Sequence, residues 1–396
     1  MAYLLILILL FISGSWLHYT GRLPSAIHKV LLFLGFWLFA GLAWETGVDW
    51  KLYSEAYKYS LPIYEVIEQS RFYSVESSNL FSIEFIFNII SSLAKVFGDD
   101  FVLFNCIISL LSAIFFFKAI NRYTLNLFFP VMLYFGCIYI TLNISGIRQG
   151  LALVIAFYAY GYIADKKFWK YTLWILVATG IHSSAIALFP LYFLVRHRFS
   201  NNAVYIITGI GLIVYLLRIP IMINLLYFIA NISNNEILKK LSLYLTLIED
   251  NVFAMMGISP KILFYIVLLI VVFYLRKQLC EHNRFNNMFM NIFFIYVILN
   301  LYFWSAGEII MRFGFYFLVS IIVILPELMS NLKYRSNQII IILLMLGVAF
   351  ISRTPVFLES LGALPYTPYQ NYIIYQLTNK PSTGQERLEK WDGSDQ

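Results

Sequence analysis

Apolar residues run along this chain in long blocks, separated by short polar or basic breaks, almost from one end to the other. Roughly ten or more of these blocks approach the ~20 residues that an α-helix needs to cross a bilayer. The pattern predicts an all-α polytopic integral membrane protein of about 12 transmembrane helices, read as one integral domain over residues 1–396. The expected spans cover 2–17, 27–44, 101–120, 125–142, 147–164, 204–217, 261–275, 288–304 and 338–351, with one more ending near Lys333. The apolar stretch 168–195 is too long for one span and is interrupted by Gly180-Ile181-His182-Ser183-Ser184, so it reads as two short helices meeting at the break. A single tilted span with His182 at mid-depth is the rival arrangement.

Basic residues orient the spans. Arg22 and Lys29, Lys118 and Arg122, Lys166 and Lys167, Arg196 and Arg198, Arg276 and Lys277, and Lys333 and Arg335 all fall between blocks, and placing them inside makes the spans alternate. Three polar stretches then face outward: a loop over 45–82, an external or interfacial segment over 218–260, and a tail over 352–396 that reads as disordered after about residue 380. The block 2–17 has no basic residue ahead of it and reads as a retained span with its N-terminus outside, not as a cleaved signal. Composition strengthens the assignment, because 12% charged residues is half the roughly 25% of an ordinary soluble domain. The net charge of +7 follows from the orienting clusters and does not point to nucleic acid. The three cysteines show no pairing or ligand spacing, so neither a disulfide framework nor a thiolate metal site is expected.

Charge inside the membrane is costly and tolerated where it is solvated, paired or functional. Asp49, Arg148, His182, Glu308 and Arg312 all fall on the outer side of the expected topology, which predicts a polar chamber opening outward. Arg148 sits in the first turn of its helix behind Ser145, the expected N-cap. A cation there opposes the helix dipole unless an anion binds, and a helix N-terminus beside a guanidinium suits phosphate. Gln149 beside it favours a protein-lined cavity; an arginine snorkelling to the interface is the alternative. His182 follows a glycine break and serves either as a structural hydrogen-bonding group or as a base, since imidazole titrates near neutrality. Glu308, Arg312 and Tyr316 recur every four residues and share a helical stripe, either as a plain ion pair or with Glu308 orienting Arg312 toward an anion. Asp49 opens Trp50-Lys51-Leu52-Tyr53, a carboxylate with aromatic neighbours of the kind sugars bind, or an ordinary interfacial loop. No P-loop, GxGxxG, HExxH or carboxylate cage is present, so the expected chemistry needs no metal and no cofactor.

Five pieces occur in a telling order: Gly47-Val48-Asp49-Trp50 with Tyr53 and Tyr57; Ser145-Gly146-Ile147-Arg148-Gln149-Gly150-Leu151-Ala152; His182-Ser183-Ser184-Ala185; Met311-Arg312-Phe313 with Tyr316; and Pro365-Tyr366 with Tyr369-Gln370. In these the chain resembles the EpsG family of Wzy-like polysaccharide polymerases. It departs where the family often has Glu-Pro before an aromatic-rich helix, for it carries Ile83-Glu84-Phe85. The resemblance implies an enzyme of the bacterial plasma membrane that transfers a growing glycan from undecaprenyl diphosphate to the next lipid-linked repeat unit on the outer face. It also implies the flippase and chain-length regulator of the same pathway as partners. Arg148 and Arg312 would then meet the diphosphate, and His182 or Asp49 the acceptor hydroxyl. Gln149, Ser183, Tyr53, Glu308, Tyr316, Glu84 and Tyr369 would line the substrate. A lipid-linked-oligosaccharide flippase or other carrier is the alternative, and a non-catalytic partner in an envelope assembly is the third.

Overall fold

A computed structural model describes residues 1–74, 83–221, 224 and 259–394. Among the described residues there is no β-strand; two isolated bridges join Ala43 to Asn371 and Ser60 to Tyr73. Six helices among the described residues are long and apolar enough to cross a membrane: Ala2–Thr20, Phe101–Tyr123, Phe128–Ser145, Ile147–Ala164, Ile309–Asn331 and Arg335–Ser352. A seventh span results if Pro260–Tyr274 and Arg276–His282, bent by 70° at their junction, count as one. Among the described residues the twelve expected are not reached, and five further apolar helices there have 10–17 residues. At 1.5 Å per residue a 16-residue helix such as Ala26–Gly41 is about 24 Å long, short of the roughly 30 Å hydrocarbon core.

Where the sequence reads as one domain, the chain packs as two compact units, residues 1–192 with 332–396, and residues 193–331. At the centre of the first unit stands Ile147–Ala164, packed against Phe101–Tyr123 and Phe168–Ile181. Its Ala152, Ala156 and Ala159 are fully buried, as small residues at helix contacts are. Local chemistry sets the helix ends: Gly21 closes Ala2–Thr20 in the left-handed region, a Ser25–His28 capping box opens Ala26–Gly41, and Asp100 caps Phe101–Tyr123 through the Val102 N–H at 2.8 Å. The last eleven residues of Phe128–Ser145 wind as a π-helix, Phe135–Ser145, which nothing in the sequence announced. Gly136 lies against Arg335–Ser352 so closely that a Cβ would stand 2.5 Å from the Ala349 carbonyl oxygen.

The tail closes onto the start of the chain. Trp44 and Gly47 N–H donate to the carbonyls of Gln370 and Pro365 at 2.9 and 2.7 Å, and Tyr372 N–H donates to Leu42 at 2.9 Å. The disorder expected after about residue 380 is replaced by a helix, Gly384–Ser394. Its Arg387 is 5% exposed and donates to the carbonyls of Glu45, Pro368 and Leu364 at 3.0, 3.0 and 3.4 Å, contacts that local composition cannot reveal.

The second unit gathers Asn201–Leu216, Pro260–Tyr274, Gly307–Leu318 and Ser320–Asn331 around Asn286–Tyr302. Buried Asn291 donates to the carbonyls of Val195 and His197 at 3.0 and 2.6 Å, satisfying backbone groups where the chain enters this unit. Most of the expected segment 218–260 and residues 75–82 of the expected 45–82 loop lie outside the described residues.

Candidate functional site

The site grows from the junction between the π-helical stretch and Ile147–Ala164. Gly146 makes the break, with φ −77° and ψ 55°. Gly150 lets the two segments touch, since a Cβ there would stand 2.4 Å from the Leu142 carbonyl oxygen. Ser145 is not the N-cap: Gly146 holds that position, and the helix start has no side-chain cap. The Ser145 Oγ faces the other way and accepts from the N–H groups of Val48 and Asp49 at 2.9 and 3.3 Å. This approach requires glycine at position 47, whose φ is 98° and whose Cβ would lie 2.7 Å from that of Ser145. Asp49 is thereby fixed just ahead of Trp50–Tyr59, its Oδ2 3.9 Å from where a Cβ on Gly146 would stand.

Arg148 projects from the first turn. Its Nη1 donates to Glu84 Oε2 at 2.7 Å, its Nε reaches the Tyr53 hydroxyl at 3.4 Å, and the guanidinium carbon sits 5.5 Å from the centre of the Tyr53 ring. Glu84 holds the N-cap position of Phe85–Lys95 without a side-chain cap; its carboxylate spans two partners instead. While Oε2 holds Arg148, Oε1 accepts from the Ser183 N–H at 2.9 Å and faces His182 Nδ1 at 3.4 Å. That last contact is too long and misaligned for a well-formed hydrogen bond, which leaves Nδ1 buried and underserved. Gly180 lets Phe168–Ile181 close on Phe85–Lys95, for its Cβ would come 2.5 Å from Ile86 Cδ1. His182 itself ends that helix in an extended conformation, φ −150° and ψ 115°, before the short 3-10 turn Ser183–Leu188.

Burial opposes ionisation of Glu84, yet the His182 contact, the Ser183 N–H and the Arg148 charge outweigh it and lower its carboxyl to about 2. Burial raises the pKa of the Tyr53 hydroxyl in spite of Arg148, so this group stays a proton donor.

The first unit therefore brings Asp49, Tyr53, Glu84, Arg148, His182 and Ser183 together, with buried Gln149 alongside. Tyr369 stands elsewhere in that unit: its hydroxyl donates to the Phe39 carbonyl at 2.7 Å and its ring stacks on Phe39 at 4.1 Å. It lines an open apolar cleft of about 480 Å³ with Leu10, Leu31, Gly35, Phe36 and Tyr139. Arg312, exposed, and Tyr316, fully buried, belong to Gly307–Leu318 of the second unit, and the Glu308 side chain lies outside the described residues. Glu84, which the sequence offered at a point of departure from the family pattern, is the hub. Among the described residues no three His, Cys, Asp or Glu side chains form a group able to hold a metal ion.

Comparison with curated proteins and with solved structures returns no match. Comparison with family models matches the EpsG family over residues 26–371, a stretch that takes in all six clustered residues together with Gln149, Tyr369 and Arg312. With that match covering most of its length, the chain belongs to the EpsG family of Wzy-like polysaccharide polymerases.

Proposed function

We propose that this multi-pass membrane polymerase takes its growing glycan from undecaprenyl diphosphate and passes it to a lipid-linked repeat unit on the outer face of the bacterial plasma membrane. The observation that carries the reading is one carboxylate, Glu84, held between a helix-start guanidinium and an imidazole. In the reaction an acceptor hydroxyl attacks the anomeric carbon, the bond from that carbon to the diphosphate oxygen breaks, and the diphosphate leaves with the electron pair. Arg148 and the N-terminus of its helix offset the developing negative charge. Glu84, with its carboxyl at about 2, is too weak a base to take the hydroxyl proton and acts by orientation. With Nδ1 toward Glu84, His182 has Nε2 left to receive the proton, the division of labour found in carboxylate–histidine pairs generally. Asp49, beside Gly146, positions the acceptor sugar.

Orientation follows from the charges at the two ends of Ile147–Ala164. Lys166 and Lys167 follow its C-terminus and mark the cytoplasmic end, so Arg148 faces outward. Counting the shorter apolar helices as spans restores about twelve, with the tail outside. The apolar cleft beside Tyr369 suits the isoprenoid chain of the carrier. The reading needs no metal, because cationic side chains offset the charge.

The test is to reconstitute the purified protein in lipid with a lipid-linked repeat unit and separate the glycans by length. Elongation that is lost in Arg148→Ala supports the reading. Transbilayer movement of unelongated substrate would replace it with the flippase.

A further inference from the structure

Arg148 is already neutralised by Glu84, which raises the question of what else in this unit meets an anion. Arg353, at the end of Arg335–Ser352, is half-buried and has no carboxylate partner among the described residues. Its guanidinium donates to Thr141 Oγ1 in the π-helical stretch. Arg387 shows what a structural arginine looks like here: it makes no ion pair with a carboxylate among the described residues, but its N–H groups are taken up by the carbonyls of Glu45, Pro368, Leu364 and Thr383. Arg353 is hydrogen-bonded through its side chain to Thr141 alone among the described residues.

Its neighbour ties it to the site. The Thr141 carbonyl accepts from the Gly146 N–H at 2.9 Å, and Tyr366 lies within the electrostatic reach of Ser145, Arg353 and Asp49. Ser145 is the residue whose Oγ fixes the Val48 and Asp49 N–H groups. Arg353, Thr141 and Tyr366 thus join the Ser145–Gly146 junction through contacts separate from the Arg148–Glu84–His182 set. A half-buried guanidinium without a counter-ion has its desolvation offset when an anion arrives, and its planar fork matches phosphate oxygens. Burial lowers the pKa of Arg353, and Tyr366 and Cys137 pull it back, which agrees with a cation lacking a carboxylate.

We infer that Arg353, with Thr141 and the Tyr366 hydroxyl, is a second anion-binding group of this site and takes the diphosphate of a polyprenyl-linked sugar. The inference rests on the polymerase reading for the identity of its ligand and deepens it.

The test uses the full chain in nanodiscs, titrated with geranylgeranyl diphosphate and geranylgeranyl monophosphate by calorimetry, in phosphatidylcholine and again with phosphatidylglycerol added. The wild type is expected to bind the diphosphate at least roughly tenfold more tightly than the monophosphate, and Arg353→Ala to lose about ten- to a hundredfold of that affinity. Arg353→Lys should recover part of it, because it restores the charge without the fork. Equal diphosphate affinity in wild type and Arg353→Ala overturns the inference, as does loss of diphosphate binding when phosphatidylglycerol is present, which would make this a headgroup site. If Arg353→Ala does not fold, Arg353→Lys and Thr141→Val decide. Weakened binding in Arg353→Lys at an unchanged melting temperature supports the inference. Lowered melting temperatures with unchanged affinity in both overturn it. Elongation by the wild type is measured separately, so failure of the polymerase reading leaves the binding result standing and distinguishable.

Discussion

The central helix Ile147–Ala164 carries an ion pair at each end, and the two are nearly matched in burial. At its C-terminal end Arg122 meets Asp165, with side chains 19% and 14% exposed; at its N-terminal end Arg148 meets Glu84, with side chains 16% and 18% exposed. They differ in what surrounds them. Arg122 lies over Gly161, where a Cβ would come 2.3 Å from its guanidinium carbon, and faces the Tyr162 ring at 4.6 Å. Tyr123 reinforces the same junction, its hydroxyl accepting from the Gly161 N–H at 2.7 Å. Glu84, by contrast, is shared with an imidazole and a backbone N–H, and Asp49 stands across the same helix start. Burial and charge do not separate a fastening from a site. A carboxylate divided between a cation and a titratable ring does.

Arginine-to-alanine exchange at the two ends should have opposite signatures. Arg148→Ala is expected to lower elongation by about a hundred- to a thousandfold, the cost of losing a charge-stabilising donor. Arg122→Ala leaves Asp165 without its partner and should cost about 3 kcal/mol of stability, with turnover per folded molecule unchanged. Glycan-length analysis alongside thermal unfolding in detergent reads both, and loss of turnover in folded Arg122→Ala would erase the contrast.

His182→Ala is expected next, at roughly a hundredfold in kcat with KM little altered, as removal of a general base generally does. A fall confined to KM would make His182 a binding group.

The Glu84 shift predicts an acid limb in stability, not in activity near neutrality. Its carboxyl is lowered from 4.5 to about 2, so the stabilisation is complete above pH 4.5 and is lost as pH falls through about 2. Unfolding temperatures followed downward from pH 5 should decline in the wild type more steeply than in Glu84→Gln. Parallel curves would show that Glu84 is not held in this way.

Filling the apolar cleft should have a milder effect. A Cβ on Gly35 would meet nothing within 4 Å beyond its own stretch of helix, so Gly35→Phe is expected to extend into the cleft and raise KM for lipid-linked substrate by about tenfold with kcat retained, its fold checked by the melting temperature. Chelation with EDTA should change nothing, and a loss of elongation restored by a divalent cation would reassign the charge-stabilising role.

Much of this was legible in the chain and some of it could not be. Arg148 and His182 were recognisable because glycines and polar residues interrupt apolar runs beside them, and the structure gives those glycines their reason in close backbone approach. Glu84 reads as a lone charge before a short helix, since its partners Arg148 and Ser183 lie 64 and 99 residues away. Arg353 looks like one more basic residue at the end of a span. The π-helical stretch has ordinary span composition, and its winding is seen only with Arg335–Ser352 packed against Gly136. The polar tail reads as disordered because Arg387 finds its acceptors on residues as distant as Glu45.

That last contact joins positions 342 residues apart, and the Gly47–Pro365 bond joins the same two stretches of chain. The strip bearing Asp49 is thus among the earliest parts to be synthesised and among the last to be fastened. A ribosome that stalls before Pro365 releases a protein whose helices are nearly all made and whose Asp49 strip, though held at Ser145, lacks its fastening to Pro365 and Arg387.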